Sequence, residues 1–249
     1  MAAPTPGPLQ GHAALVTGAS RRLGRAIAER LADAGASVAL HAHHDRSGAE
    51  SLAGTLRAQG HRALALTADL REEHEAARLV EEAWTAFDGL DLVVNNVGLF
   101  ERTPLADLDV ASFDRLVTLN ARTVYLISTL AGRRMKARGR GAIVNLACVS
   151  GLRAWGGAIA YSASKAAVLS LTQGFARALA PEVRVNAVAP GPVLEPDAMP
   201  TSERERIAAT TLLARWGTPQ DVAEAVLLLA TQPWLTGVVL PVDGGRSAR

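Results

Sequence analysis

The chain passes from the apolar run AALV at Ala13–Val16 into Thr17-Gly18-Ala19-Ser20-Arg21-Arg22-Leu23-Gly24, and a helical pattern of apolar residues follows at once. Glycines in such a turn let the backbone come close to a pyrophosphate. The helix that follows points free N–H groups and the positive end of its dipole at the same place. The stretch therefore predicts the first strand, the phosphate-binding turn and the first helix of a dinucleotide-binding α/β sheet.

Short apolar runs alternate with longer amphipathic stretches along the rest of the chain. The predicted strands are 13–16, 37–41, 63–66, 92–94, 142–146, 184–188 and 238–241, and the predicted helices include 24–34, 72–87, 113–138, 158–179 and 219–230. Strands that are apolar throughout, each followed by a helix, indicate a parallel sheet covered on both faces. We therefore predict an α/β fold, a single doubly wound Rossmann-type domain whose seven-stranded parallel sheet lies between two helix layers.

Composition agrees with one domain and excludes several classes of function. The 249 residues are 49% hydrophobic and 20% charged, which suits one large α/β domain. A formal net charge of only +2 gives no basic face for nucleic acid, so no nucleic-acid partner is expected. No stretch is apolar enough to predict a membrane span. The single cysteine, Cys148, fits a reducing compartment, so we expect a cytoplasmic protein.

Two segments depart from the regular alternation. Residues 1–11 are rich in proline and small residues and lack the pattern of a signal peptide, so we expect a flexible tail before a domain at 12–249. Residues 192–215 combine prolines, charges and a weak helical pattern, which predicts a mobile lid.

The end of the second predicted strand bears on the choice of cofactor. A carboxylate there would accept a hydrogen bond from the ribose 2′-hydroxyl of NAD, but that position is Ala42. His43, His44 and Arg46 follow and would favour a 2′-phosphate, which predicts NADP(H). Asp45 is a complication, because a small shift of the strand boundary would bring its carboxylate closer to the ribose.

The histidines at 41, 43 and 44 could also suggest a metal site, because alternate residues on a strand face the same way. No companion cysteine and no obvious third ligand accompany them. No metal is therefore expected.

Tyr161 and Lys165 lie four residues apart at the start of a predicted helix, so they share one face and act on the same small volume. A neighbouring ammonium stabilises a phenolate, which makes tyrosine a usable acid–base group near neutral pH. The pair is the predicted chemical centre.

These stretches together resemble the short-chain dehydrogenase/reductase family: the TGxxxRxG turn at 17–24, NNVG at 95–98 and the YxxxK pair of Tyr161 and Lys165. Arg22, where the family's usual element has its middle glycine, resembles the pteridine reductases within it. The resemblance implies an NADP(H)-dependent oxidoreductase acting on a small molecule, and a homo-oligomer, expected to be a tetramer. Turn chemistry and resemblance together predict cofactor contacts from Gly18, Ser20, Arg21, Arg22, Leu23, Gly24, His43, His44, Arg46, Asp69, Leu70, Asn95, Val97, Gly98, Tyr161, Lys165, Pro190, Gly191 and Val193.

The resemblance adds two further catalytic positions. One is Asn120, expected to support a proton-relay water. The other is a serine thirteen residues before the tyrosine, which here is Cys148, whereas pteridine reductases carry an aspartate. A thiol is a weak hydrogen-bonding group, so Cys148 either replaces the serine with poorer oxyanion stabilisation or is simply a small buried residue. Ser150, two residues on, is a possible substitute, and both interpretations of Cys148 stay open.

Phe100, Arg22 and Cys148 are the predicted substrate contacts. Pteridine reductases carry a phenylalanine at the position of Phe100 that stacks on the pterin ring, so a dihydropterin or related pteridine, reduced at a C=N or C=O bond, is the preferred substrate. The alternatives are a ketone or 3-oxoacyl carbonyl reductase and, in another class, a weakly catalytic NADP(H)-binding sensor. Trp155 and Trp216 are further candidates for the pocket lining.

Overall fold

All seven predicted strands form in a computed structural model, which describes residues 7–195 and 199–248. They build one parallel sheet in the order β3-β2-β1-β4-β5-β6-β7, which confirms the predicted doubly wound fold. Every neighbouring pair runs in the same direction. The strands are β1 Ala13–Val16, β2 Ser37–Ala42, β3 Ala63–Thr67, β4 Leu92–Asn95, β5 Gly141–Leu146, β6 Val183–Pro190 and β7 Val239–Val242.

The helices are α1 Arg22–Asp33, α2 Arg46–Ala58, α3 Glu73–Phe87, α4 Val110–Val117, α5 Thr123–Arg138, α6 Ile159–Leu179, α7 Thr201–Ala208 and α8 Pro219–Thr231. Alternate residues of β1 show how they cover both faces of the sheet. Val16 packs with apolar residues of α1, α2 and α8, whereas Leu15 packs with those of α3, α5 and α6. Two apolar layers therefore cover the two faces of the sheet.

The order of the strands shows at which edge of the sheet a ligand would bind. The chain moves outward from β1 to β3 and then returns to the other side of β1 as β4. Such a reversal opens a crevice beyond the carboxyl ends of the two strands, where α/β sheets bind their ligands.

The predicted helix at 113–138 is not continuous, so that prediction was wrong in its middle. It divides into α4, a π-helical turn over Thr118–Arg122 and α5. The extra residue of a π turn lets Asn120 point into the interior, where its side chain bonds the backbone of Leu99. Helices α2 and α7 were not among the predicted helices either.

Part of the predicted tail is packed against the domain. Residues 1–6 lie outside the described part of the chain, but Leu9 is buried in the core and its N–H donates to the Ala34 carbonyl at 2.9 Å. The predicted lid at 192–215 contains α7, and its residues 196–198 are outside the described ranges. Over the described residues, no helix is both long and apolar enough to cross a membrane.

A buried histidine joins three strand ends. The Nδ1 atom of His41 accepts from the Gly18 N–H at 3.1 Å, and its Nε2 lies 3.0 Å from the Ala68 carbonyl oxygen. Both bonds form only in the neutral tautomer with the proton on Nε2. Burial is the largest cause that lowers the pKa of His41 to about 4. The ring therefore stays neutral and holds the turn after β1 to the end of β3.

We expect this histidine to make the fold acid-sensitive. In the unfolded chain the imidazole of His41 binds a proton near the ordinary pKa of 6.5, whereas in the native protein it does so only near 4. The contribution of His41 to the free energy of unfolding is therefore fully present above pH 6.5 and is lost as the pH falls towards 4. The loss from this group is about 3 kcal/mol. Urea unfolding across this range should show a shallower pH dependence for His41→Gln than for the wild type.

The exposed His12 supplies the control, since His12→Gln should keep the slope of the wild type. Equal pH slopes for His41→Gln and the wild type would contradict the assignment.

Candidate active site

The turn after β1 is held tightly to the end of β4. Asn96 donates from Nδ2 to the carbonyl oxygens of Thr17 at 2.9 Å and Gly18 at 3.1 Å, and its backbone N–H donates to Thr17 Oγ1 at 2.9 Å. Gly18 has a left-handed φ of +67°. A Cβ on Gly24 would overlap the Gly18 carbonyl and lie 2.6 Å from Asn96 Nδ2. Only glycine fits there, which leaves an open backbone cradle of the kind that receives a pyrophosphate.

Arg22 opens α1 with a left-handed φ of +53°. This conformation costs a residue other than glycine about 1 kcal/mol. Its side chain is exposed and extends from the cradle. Such strain marks a position as a candidate for function, which agrees with the contacts predicted for Arg22.

The end of β2 carries no free carboxylate. Ala42 is buried as the last residue of the strand, and the exposed His43 and His44 follow with ring centroids 3.4 Å apart. Arg46 is exposed at the first position of α2. A phosphate group at this strand end would therefore meet donors and a cation.

Asp45, the complication in the sequence, is used as the N-cap of α2. Its carboxylate accepts from the Gly48 N–H at 2.9 Å, and this bond, followed by one from the Ser20 hydroxyl, lowers the pKa of Asp45. Asp45 therefore joins the turn after β1 to α2.

Asp69, after β3, is paired on both sides. Arg71 Nη2 lies 2.6 Å and His43 Nε2 lies 3.3 Å from its Oδ2 atom. The Arg71 side chain is the largest cause that holds the pKa of Asp69 well below its usual range. Adenine contact at Asp69 and the neighbouring buried Leu70 stays a prediction.

The predicted catalytic residues meet beyond the ends of β4 and β5. Lys165 Nζ donates to the Leu146 carbonyl at 2.8 Å and lies 6.0 Å from the Tyr161 ring centroid. A Cβ on Gly98 would lie 3.1 Å from Asn120 Oδ1 and 3.3 Å from Lys165 Nζ. Asn120, Tyr161 and Lys165 therefore form one compact group, with backbone closely packed against it at Gly98.

Burial shifts both members of the acid–base pair towards their neutral forms. It is the first cause that raises the pKa of Tyr161 well above its ordinary value, followed by the neighbouring Cys148 side chain, which hydrogen-bonds the phenol. It also lowers the pKa of Lys165 to about 8. A neutral phenol can give its proton to a substrate. The neighbouring Lys165 amine, when protonated, then stabilises the phenolate that remains.

Asn120 organises the loop around this centre. Its Oδ1 accepts from the Leu99 N–H at 2.7 Å, and its Nδ2 donates to the Leu99 carbonyl and the Ser164 hydroxyl, both at 2.9 Å. Ser164 in turn donates to the Tyr161 carbonyl at 2.7 Å. The side chain thus fixes the loop before Phe100 to α6, and a proton-relay role for Asn120 stays a prediction.

Cys148 lies beside Tyr161, where the predicted spacing put it. It is buried after the end of β5, hydrogen-bonds the Tyr161 side chain, and its Sγ accepts from the Ser150 N–H at 3.5 Å. The Ser150 hydroxyl is buried and makes no hydrogen bond within the described ranges. Cys148, not Ser150, therefore provides the hydrogen-bonding group next to the phenol.

Three aromatic rings form a wall on the substrate side. Phe100 meets Tyr161 edge-on with centroids 4.9 Å apart, and Trp155 lies 6.4 Å from Phe100 and 6.5 Å from Tyr161. The Arg246 guanidinium lies 4.9 Å over the Trp155 ring. Trp216 instead donates from Nε1 to the Arg204 carbonyl in α7 at 3.0 Å. Trp155 therefore joins the group, and Trp216 packs against the predicted lid.

The other predicted cofactor residues follow the carboxyl ends of the strands. The side chain of Asn95 points into the interior and not towards the cofactor cradle. Its Nδ2 donates to Ser128 Oγ at 3.0 Å and to Asn145 Oδ1 at 2.8 Å. Gly191 packs so closely that a Cβ there would lie 2.7 Å from the Asp243 Cα. The set that lies at this edge of the sheet is Gly18, Ser20, Arg21, Arg22, Leu23, Gly24, His43, His44, Arg46, Asp69, Leu70, Asn95, Val97, Gly98, Pro190, Gly191 and Val193.

Sequence reasoning missed three residues that shape the site. Asn96 was visible only as part of NNVG, and His41 only as a possible metal ligand. Arg246 ends the stretch Pro241 to Arg246, which resembles the family but pointed to no role for its arginine. Within the described residues, no three His, Cys, Asp or Glu side chains come together as a group that could hold a metal.

Comparisons with known proteins agree with this geometry. Residues 18–247 match the family model described as enoyl-(acyl carrier protein) reductase. The cis-4-hydroxycyclohexanecarboxylate dehydrogenase of Sinomonas cyclohexanicum is 39% identical, over 94% of this chain and 96% of that protein. A 3-oxoacyl-[acyl-carrier-protein] reductase of Synechocystis is 34% identical, over 95% and 97%.

The fold matches solved structures equally well. The crystal structure of a blue fluorescent protein from a metagenomic library, in complex with NADPH, superposes with a TM-score of 0.89 at 34% identity, covering 96% of this chain and 99% of that one. Full-length similarity of sequence and fold, together with the tyrosine–lysine centre, establishes that the chain belongs to the short-chain dehydrogenase/reductase family of NAD(P)-dependent oxidoreductases.

Proposed function

We propose that this protein is an NADPH-dependent reductase that converts a ketone to an alcohol, or runs the reverse reaction. The observation that carries the proposal is the contact of the Tyr161 phenol with Cys148, beside Lys165 and below an aromatic wall. A carbonyl oxygen between the thiol and the phenol would have a proton donor on one side and a weak hydrogen-bonding group on the other.

The residues at the sheet edge fit a bound NADPH. The cradle at Gly18 and Gly24 suits the pyrophosphate, and Ala42 with the cluster of His43, His44 and Arg46 suits the 2′-phosphate. When bound, this cofactor supplies the hydride that forms the new C–H bond at the carbonyl carbon.

Tyr161 gives its proton to the carbonyl oxygen, so the product is an alcohol and the phenolate remains. The Lys165 ammonium stabilises that phenolate, and its bond to the Leu146 carbonyl keeps the amine in place. Asn120 holds the loop that carries Phe100, which sets the depth of the pocket. The aromatic wall presents an apolar surface beside the reacting carbon.

The substrate class follows best from the relatives, which include a dehydrogenase of a cyclic hydroxy acid and reductases of 3-oxoacyl thioesters. A ketone is therefore the first candidate. A dihydropterin is the second, favoured by the half-exposed Phe100 ring and the strained Arg22. The sensor hypothesis is disfavoured, because Tyr161, Lys165 and Asn120 are all retained and close together.

NADPH oxidation by the purified protein tests the proposal, with a cyclic ketone, a 3-oxoacyl thioester and a dihydropterin run side by side. We expect turnover with the ketone or thioester and its loss in Tyr161→Phe, since no other group is placed to donate the proton. NADPH affinity, measured by fluorescence titration, should change less than threefold, or about 0.6 kcal/mol.

Turnover with the dihydropterin alone would select the second candidate. Full activity in Tyr161→Phe would refute the mechanism, and tight NADPH binding without any turnover would favour the sensor hypothesis.

Exchange of Cys148 for serine should raise kcat/KM for ketones about tenfold, because a hydroxyl is a stronger hydrogen-bond donor to the developing oxyanion than a thiol. Steady-state kinetics of Cys148→Ser and Cys148→Ala on one ketone provide the measurement. If both variants match the wild type, Cys148 is a packing residue.

Removal of the Arg46 guanidinium should weaken NADPH binding about tenfold and leave NADH binding unchanged, because only NADPH carries the 2′-phosphate. Fluorescence titration of Arg46→Ala with both cofactors measures this difference. Arg57→Ala, at the other end of α2, is the matched control. A similar loss for both cofactors would show that Arg46 acts through the helix and not through the phosphate.

A further inference from the structure

We propose that Arg246 binds a carboxylate of the substrate, so that the physiological substrate is an oxo acid or hydroxy acid and not a thioester or a neutral ketone. This inference rests on the proposed function, because it concerns the pocket in which that reaction takes place. It assigns the group that orients the substrate to a residue after β7, far along the chain from the tyrosine–lysine centre.

Arg246 lies in a turn that is fixed by hydrogen bonds and by two glycines. The Asp243 carboxylate accepts from the Gly245 N–H at 2.9 Å and from the Ser247 N–H at 2.6 Å. Gly244 and Gly245 have left-handed φ angles of +62° and +80°, which favour glycine. The start of the Arg246 side chain is therefore fixed by backbone bonds.

The turn also packs closely on the segment that follows α7. A Cβ on Gly245 would lie 2.7 Å from Leu212 Cδ1, and one on Gly244 would lie 3.2 Å from Thr211 Cβ. The turn before Arg246 is thus held in place by tertiary packing on Thr211 and Leu212.

The guanidinium faces the reacting groups across the aromatic wall. It lies 4.9 Å over the Trp155 ring, whose centroid is 6.5 Å from that of Tyr161. A substrate whose carbonyl lies at Tyr161 and Cys148 would therefore extend along Trp155 towards a cation.

Within residues 7–195 and 199–248, the cation at this position has no directly paired carboxylate. The negative charge of Asp243 acts favourably on the Arg246 guanidinium, but both of its carboxylate oxygens accept hydrogen bonds from backbone N–H groups. Burial is the largest cause that lowers the pKa of Arg246, and the positive charge of Arg206 acts in the same direction.

A half-buried guanidinium without a directly paired anion is unfavourable, and an anion that enters the pocket would relieve the cost. The planar fork of five N–H donors matches a carboxylate in two parallel hydrogen bonds. Phosphate of the cofactor is not the natural partner, because the pyrophosphate cradle belongs to β1 and Arg246 lies beyond β7 at the substrate side. The chemistry of the site therefore selects a substrate carboxylate.

Direct binding tests the assignment without turnover. The enzyme loaded with NADP⁺ is titrated by calorimetry with cyclohexanecarboxylate and with cyclohexanecarboxamide, which has nearly the same shape and no charge. We expect the carboxylate to bind 10- to 100-fold more tightly, as a charge-assisted pair in a half-buried site should. Arg246→Met should abolish this preference, and Arg246→Lys should retain part of it.

A kinetic comparison separates binding from other effects. NADPH-dependent reduction of 4-oxocyclohexanecarboxylate and of its methyl ester is measured in each variant. Arg246→Met should raise KM for the acid at least tenfold with little change in kcat, and change KM for the ester much less, so that the ratio of kcat/KM between acid and ester falls at least tenfold. Arg177→Met, which removes the same charge from an exposed position on α6, should behave like the wild type in both assays.

The outcomes distinguish the two levels of the proposal. Equal or undetectable binding of the carboxylate and the amide would overturn the role of Arg246, as would an acid preference that survives in Arg246→Met. Turnover of neutral ketones without any preference for the acid would leave the proposed function standing and refute this inference. Carboxylate binding that depends on Arg246, without any ketone reduction, would support the role of Arg246 and refute the proposed function.

Discussion

The close contact between the ends of β1 and β4 is the constraint on which the rest of the site depends. Thr17 and Asn96 exchange side-chain and backbone hydrogen bonds across these strands, and Gly24 packs where no larger residue fits. The same contact sets the cradle on one side and the loop from Gly98 to Phe100 on the other. A change at this junction would therefore move the cofactor contacts and the substrate wall together.

Buried polar side chains carry this constraint into the interior. Asn95, Asn145 and Thr172 form a continuous chain of hydrogen bonds between the sheet and α6, with each amide nitrogen satisfied. Because an unpaired polar group in a core is costly, such a network specifies one arrangement of helix and sheet. It fixes the register of α6, and hence the height of Tyr161 and Lys165 above the strand ends.

Local patterns were sufficient to predict the sheet and to bring Tyr161 and Lys165 onto one helix face. The strand at Ala13–Val16 and the start of α8 at Pro219 follow from apolar runs and capping residues close to them in sequence. The position of Cys148 was implied by the family resemblance, whose serine lies thirteen residues before the tyrosine, and the structure places Cys148 beside Tyr161. The π turn around Asn120 could not be predicted, because its cause is the distant backbone of Leu99. The same holds for Arg246, whose neighbour Trp155 is far away in the sequence. It holds also for the neutral His41, whose two partners, Gly18 and Ala68, follow the ends of β1 and β3.

The left-handed Arg22 has a consequence for the thermodynamics of the turn. Glycine would adopt this φ without strain, but a glycine loses more conformational entropy when the chain folds, because its unfolded backbone samples more states. Arginine differs from glycine in both respects. It leaves the unfolded backbone fewer states, which favours folding, and it is strained at this φ in the native turn, which opposes folding. The two effects oppose each other, so the cradle carries a cation at its entrance with a smaller net loss of stability than the strained angle alone implies.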